Sequence, residues 1–270
     1  MFSCSVVRSV ILLSGLLLTV GTAFAEQTSP DLSVTLGFGL KRMSYREYDM
    51  NGSEVDREVG WLKSGLAGIE GSLADGWRWF TDFERSYDSV QYIGQSQSGT
   101  PSRTSTDENF RTYRLGLTWQ PYTGWPGVMT ALGKTNWQRM IRANDVTGAL
   151  DEYYRWDFLS LGLQYDYFMA GRLLHVAAGY TRLINGVLEV DFSDYGYGKA
   201  DIDLATGHEL WLEVGYQLIR FSHSAVGVSY QYTYEKADAS DYARAGALLV
   251  YEPESHSRTH RYLLVWEFSF

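Results

Sequence analysis

The residues of this chain able to do chemistry are carboxylates and histidines, because its single cysteine, Cys4, leaves no disulfide and no paired thiolate ligands. The segment from about Asp88 to Asn109 carries Asp88 and the adjacent pair Asp107-Glu108. The segment from about Leu183 to Leu204 carries Glu189, Asp191, Asp194, Asp201 and Asp203, and Gly207-His208-Glu209 follows it. A carboxylate and an imidazole within hydrogen-bond reach would activate a water for hydrolysis, so Asp88, Asp107, Asp201 and His208 are the set to follow. Nucleophilic catalysis finds less support, since Gly94-Gln-Ser96-Gln-Ser98 lacks the second glycine of a nucleophile elbow. Among the histidines, only His256 and His260 are closely spaced. Four apart in a strand, they share a face, as a surface metal or pH-sensitive pair or as two solvated side chains. These patterns predict no catalytic residue, no bound metal and no cofactor.

The elements that would position such residues are strands. Tyr262, Leu264, Trp266, Phe268 and Phe270 alternate with Leu263, Val265, Glu267 and Ser269 up to the last residue. Leu32, Val34, Leu36, Phe38 and Leu40 alternate in the same way with Ser33, Thr35, Gly37, Gly39 and Lys41. Ten segments of this kind are read along the chain, the second, from Trp61 to Leu73, with ambiguous parity. Aromatic residues make up 15%, including Tyr 20 and Trp 9, while mean hydropathy is only −0.23. An aromatic stripe ending in a terminal Phe resembles the closing strand of a Gram-negative outer-membrane β-barrel. The resemblance implies an all-β, antiparallel up-and-down transmembrane barrel of about ten strands, in the outer membrane. It also implies that Tyr262, Leu264, Trp266, Phe268 and Phe270 form the signal read by the barrel-assembly machinery, and that outer-membrane lipid and lipopolysaccharide are partners.

Met1 to Ala25, with Arg8, an apolar run from Val10 to Val20 and a close at Ala23-Phe24-Ala25, reads as a signal peptide. Residues 26–270 then form one barrel domain, and Cys4 leaves with the signal. A net charge of −9 argues against nucleic-acid binding. Short connections near Asp75, Tyr122, Gly171 and Phe221 alternate with long ones near Asn51, Ser98, Asp145, Tyr195 and Asp241. In outer-membrane barrels the short ones are periplasmic and the long ones extracellular, which puts both mature termini in the periplasm. Segments longer than the 9–11 residues that cross a bilayer predict hairpins projecting above it.

Ten strands with tall outer hairpins resemble the omptin family of outer-membrane proteases, over the whole mature chain in architecture and not in motif. Omptins use an aspartate pair in the second outer loop and an Asp-Glu-His cluster in the fourth. Here the second loop lacks the spaced aspartates and the fourth contains no histidine; His208 sits at its descending edge, on the face opposite Glu209.

By parity Lys41, Arg78, Asp82, Glu84, Arg114, Glu209, Glu213, Arg261 and Glu267 face the lumen, with Glu70 a further candidate. Charges there must pair or line water, so the bore is either plugged by arginine–carboxylate pairs or a small-solute pore. The first outer loop, with Glu47, Asp49, Glu54, Asp56 and Glu58, reads as a solvated acidic surface. Tyr195, Tyr197, Tyr242 and Tyr251 read as outer aromatic girdle. The function implied is non-enzymatic, structural, adhesive or receptor-like through the outer loops, with minor solute permeability. The alternative is an omptin-like hydrolase at the lumen mouth.

Overall fold

The computed structural model describes residues 32–95, 99–122 and 124–270, so the signal segment lies outside the described residues, as do Ser96 and Ser98. The strands are β1 (Leu32–Tyr48), β2 (Glu54–Ala74), β3 (Trp77–Gln95), β4 (Pro101–Trp119), β5 (Gly127–Ile141), β6 (Leu150–Met169) and β7 (Arg172–Asp191). They continue with β8 (Lys199–Asp203), β9 (Gly207–Arg220), β10 (Ser224–Ala237), β11 (Ala243–Ala245), β12 (Leu248–Val250) and β13 (Glu254–Ser269).

Every pairing is antiparallel, and the sheet closes because β1 pairs with β13 and β6 with β7. The lower part of β7 pairs with β9 from Leu174↔Tyr216 to Leu183↔Gly207, and its upper part with β8 from Val187↔Asp203 to Asp191↔Lys199. β8 and β9 are therefore one descending wall strand interrupted at 204–206, and the described residues form a closed barrel of ten wall strands. β11 and β12 are a separate small hairpin in the last outer loop.

Turn chemistry fixes the short end. Gly76 takes φ 75° after Asp75, and Ala170-Gly171 takes φ 52° and 77°, left-handed values that suit two-residue hairpin turns. The first and last strands meet at this end, where the Phe270 N–H donates to the Leu32 carbonyl over 2.9 Å.

The two faces separate by period-two alternation. Outward on β1 lie Leu32, Leu36, Phe38 and Leu40, all exposed, while Ser33, Met43, Tyr45 and Glu47 point in and are buried. The exposed apolar belt continues through Leu115, Leu117, Leu132, Leu159, Leu161, Leu163, Leu210, Leu264 and Trp266. Water would not leave such a surface bare, whereas lipid solvates it. Trp61, Tyr230 and Tyr262 form the aromatic edge of the belt, with ring centroids 6.2 Å apart for Trp61–Tyr262 and 5.2 Å for Tyr230–Tyr262. Tyr195, Tyr197, Tyr242 and Tyr251 are not part of that edge. They sit in the apical loops, where Tyr195 donates to the Gly148 carbonyl over 2.9 Å and the Tyr242 and Tyr251 rings lie 5.2 Å apart.

The wall strands run on past the belt. On β1 the outward row changes after Leu40 to Arg42, Ser44 and Arg46 while the inward row continues unbroken. Glu47, Asp56 and Glu58, read from sequence as a solvated loop, are instead inward wall residues at 8%, 5% and 0% exposure. Only Asp49 to Ser53 form the turn, with Asp49 Oδ1 accepting from the Asn51 and Ser53 amides at 2.9 and 2.8 Å.

Candidate functional site in the lumen

Glycines in the wall make room for the bulky side chains that cross the bore. A Cβ at Gly116 would lie 2.2 Å from the Phe80 ring, and one at Gly133 would lie 2.3 Å from the Phe158 ring. Near the short-turn end Arg78 meets Glu70 at 2.6 Å and His175 meets Asp166 at 2.7 Å, while Glu267 points inward on β13. Higher up, Arg114 binds both oxygens of Asp82 at 2.9 and 3.1 Å. Glu84 collects the Arg261 guanidinium and, at 3.8 Å, the Lys41 ammonium; Arg261 also reaches Glu213 at 3.9 Å. Of the nine charges read from sequence as lumenal, Glu209 lines the chamber above them and the other eight belong to these contacts or lie beside them. Lys41, Glu84, Arg261 and Glu213 form one cluster, Arg114 and Asp82 a pair, and Arg78 pairs with Glu70.

Above these pairs lies a chamber of about 120 Å³, lined by Lys41, Glu84, Trp156, Trp211, Glu209 and Glu235 among others. Its roof is aromatic. Phe110, Trp137, Tyr154 and Trp156 stack in sequence across β4, β5 and β6 at centroid distances of 5.0, 4.5 and 5.4 Å. Tyr45 closes the layer from β1, edge-on to Trp137 at 5.1 Å. Trp156 is placed by a register slip between Arg155 and Asp157, opposite Asn185 at φ 53°, where a side chain at Gly186 would strike the indole.

One step further up, the inward positions become ionic. Arg139, two residues above Trp137 and 1% exposed, touches four carboxylates. Its Nη1 lies 2.8 Å from both Glu47 and Glu152, its Nε 3.1 Å from Glu58, and its Nη2 binds Asp56. Glu58 also accepts from Thr106 at 2.6 Å, and Glu108 accepts from the Trp137 indole. Glu252 descends from the last outer loop, where its oxygen lies 2.8 Å from the Tyr154 hydroxyl and 3.4 Å from that of Tyr45. The loop is fixed in turn by the Ser240 amide donating to the Glu252 carbonyl over 2.9 Å and by the Glu252 amide donating to Ser240 Oγ over 2.8 Å.

Six buried carboxylates therefore occupy one layer around a single guanidinium, which touches four of them, while Glu108 and Glu252 are held by Trp137 and Tyr154. Charge in such a place persists only where it is paired, and the surplus is met by proton uptake. Burial, followed by the neighbouring Glu58, pushes Glu108 well above the usual carboxylate range. Burial also raises Asp56 and Glu252, and lifts Glu152 to about 7 even against the pull of Arg139.

The residues that would serve hydrolysis are dispersed. Asp88 pairs with exposed Lys63 at 3.0 Å, Asp107 with exposed Arg142 at 2.8 Å, Asp201 is exposed on β8, and His208 bonds Tyr180 on the outer face. His256 and His260 also face outward, opposite Arg46 and Arg42. Among the described residues no histidine meets a carboxylate in the upper lumen. The Arg139 layer itself escaped the sequence reading, because its members are spread over β1, β2, β4, β5, β6 and the last loop. The one available signal was the continued alternation of acids with basic or polar residues at Glu47, Asp56 and Glu58.

No family model matches this chain, and no curated protein matches it in sequence. Solved structures do. The outer-membrane protease OmpT of Escherichia coli superposes with a TM-score of 0.63 at 12% identity, over 91% of this chain and 99% of that one. The translocator domain of the autotransporter NalP from Neisseria meningitidis gives 0.45 at 11% identity, over 97% of this chain and 94% of that one, too low a score to carry weight. At 12% identity the first likeness speaks for the fold and not for the chemistry: the chain has the ten-stranded fold of an outer-membrane β-barrel.

Proposed function

We propose that the chain is an integral outer-membrane protein with a closed bore and no enzymatic activity, whose role is structural, adhesive or receptor-like. It acts through the wall and loops that its strands raise above the lipid. The observation that carries this reading is the two-layer plug. The stacked rings of Phe110, Trp137, Tyr154 and Trp156 lie directly beneath the Arg139 ion cluster, with Glu252 pinning the outer loop onto both. A solute path through that section would have to break a buried ion network and an aromatic stack together. Small-solute permeability is accordingly minor.

Both ends of the described chain lie at the short-turn rim, which the reading assigns to the periplasm. The outward stripe of Tyr262, Leu264, Trp266 and Phe268 on β13, continued by Phe270 just past its end, is the surface offered to the barrel-assembly machinery, and the lipid of the outer membrane is the partner of the apolar belt. Planar-bilayer recording of the refolded, heat-modifiable protein tests the closed bore. Silence is expected from the wild type; steady open steps would sink the reading.

A further inference from the structure

The last outer loop, residues 238–253, reaches across the barrel mouth without joining the wall sheet. Tyr242 lies 3.7 Å from the Met50 sulfur in the first loop, and a Cβ at Gly246 would lie 3.3 Å from the Tyr197 carbonyl in the fourth. Its two strands, β11 and β12, pair only with each other, and its backbone meets the wall where the Asp238 amide donates to the Thr206 carbonyl over 3.4 Å. Inward it buries two small apolar side chains, Ala245 and Val250, and one carboxyl, that of Glu252. Such a segment can open on its own while the sheet beneath it stays whole.

Glu252 is held by the hydroxyls of Tyr154 and Tyr45, while the Arg139 guanidinium is occupied by Glu47, Asp56, Glu58 and Glu152. The ionisable groups that face it are Tyr45 and Glu47 from β1, Arg139 from β5, and Glu152 and Tyr154 from β6. Asp56 and Glu58 on β2, Tyr92 on β3 and Glu108 on β4 complete the layer, all of them buried. From β7, β8 and β13 come Leu188, Ile202 and Ser255, which do not titrate. The layer is already short of donors, because Asp56 Oδ1, Glu58 Oε2 and Glu108 Oε1 are buried without a hydrogen-bond partner. One more negative charge there has no cation left to meet. Burial, and then Glu47 and Glu152, accordingly push the docked Glu252 carboxyl well above its ordinary 4.5. Docking of the loop is therefore complete below about pH 4.5 and weakens as pH rises toward the docked value, by about tenfold per pH unit.

We infer that the last outer loop is a proton-latched lid: with Glu252 neutral it closes the outer mouth, and with Glu252 ionised it lifts as one hairpin and opens the space above the aromatic layer to water. The rings of Phe110, Trp137, Tyr154 and Trp156 are carried by β4, β5 and β6 and stay in place. The bore thus remains shut while the mouth opens, so bilayer conductance reads the plug and exposure of the loop reads the lid.

Hydrogen exchange of the full mature protein in phosphatidylcholine nanodiscs, read by mass spectrometry at pH 6 and pH 8 and corrected for the intrinsic amide rate, tests the lid. Protection of the loop amides is expected to fall about 100-fold, from tenfold for each pH unit and a single proton, while peptides from β9 and β10 keep theirs. Glu252→Gln, neutral at both pH values and of the same shape, is expected to hold the loop's protection constant. Wild-type protection that does not change with pH would overturn the inference, as would a glutamine variant that loses protection in step with the wild type. Loss of protection in β9 and β10 together with the loop would also overturn it, since the barrel and not the lid would then be opening.

Discussion

Replacing Arg139 by methionine removes the one cation of the upper layer and keeps an unbranched side chain in its place. Glu47, Asp56, Glu58 and Glu152 then face one another without their common partner. Breaking a buried ion pair from one side costs about 3–5 kcal/mol. The carboxylates can escape part of that cost by binding protons, so the penalty follows pH. Neutralising a glutamate of ordinary pKa costs about 5 kcal/mol at pH 8 and about 1 kcal/mol at pH 5. Arg139→Met should therefore destabilise the barrel by about 3–5 kcal/mol at pH 8 and by about 1 kcal/mol at pH 5. Urea unfolding in lipid vesicles, followed by tryptophan emission from Trp137 and Trp156 in the adjacent layer, reads both values. A loss below about 1 kcal/mol at pH 8, or an equal loss at the two pH values, would show that the guanidinium is not the hub.

Three more outcomes follow from the same geometry. Glu152 has a folded pKa raised to about 7 from its ordinary 4.5, chiefly by burial. Its contribution is fully present below about pH 4.5 and is lost as pH rises through about 7, roughly 3 kcal/mol in all; Glu152→Gln should flatten that part of the stability–pH curve, and an unchanged slope would contradict the assignment. Trp137→Ala removes the centre of the aromatic stack and should cost about 3–5 kcal/mol, with conductance steps appearing in planar bilayers where the wild type is silent. Deleting Phe270 removes the end of the β13 stripe and its amide bond to Leu32. The deletion should reduce assembled, heat-modifiable protein in cells while leaving refolding into detergent largely intact; normal assembly would refute the signal role.

What the sequence made legible was set by contrast between the two faces. Leu36, Phe38 and Leu40 against Thr35, Gly37 and Gly39 give a clear period of two, and Asp75-Gly76 marks its own turn. The same strand beyond Leu40 reads Lys-Arg-Met-Ser-Tyr-Arg-Glu-Tyr, where the outward row is polar and the inward row is half polar. The contrast vanishes although the strand does not, so the upper wall read as loop and Glu47 as solvated. The Arg139 layer was out of reach for a second reason. Its contacts join residues 83 and 92 apart, as in Arg139 with Asp56 and with Glu47, and such pairings become visible only once the register is known.

That register is also what the ion layer protects. A one-residue slip of β5 would carry Arg139 to the outer face and turn Gln138 or Met140 inward, because the side-chain period of a strand is two. Such a slip would leave Glu47, Asp56, Glu58 and Glu152 buried around a neutral side chain, at a cost of the size worked out above for the methionine variant. An apolar plug of equal volume would accept the slipped strand far more readily, since one hydrophobic side chain substitutes for another. The belt cannot supply the missing discrimination above the membrane, where both rows of the wall are polar. A buried charge that needs partners from β1, β2 and β6 at once supplies it, so the same cluster that closes the bore holds the projecting wall in a single register.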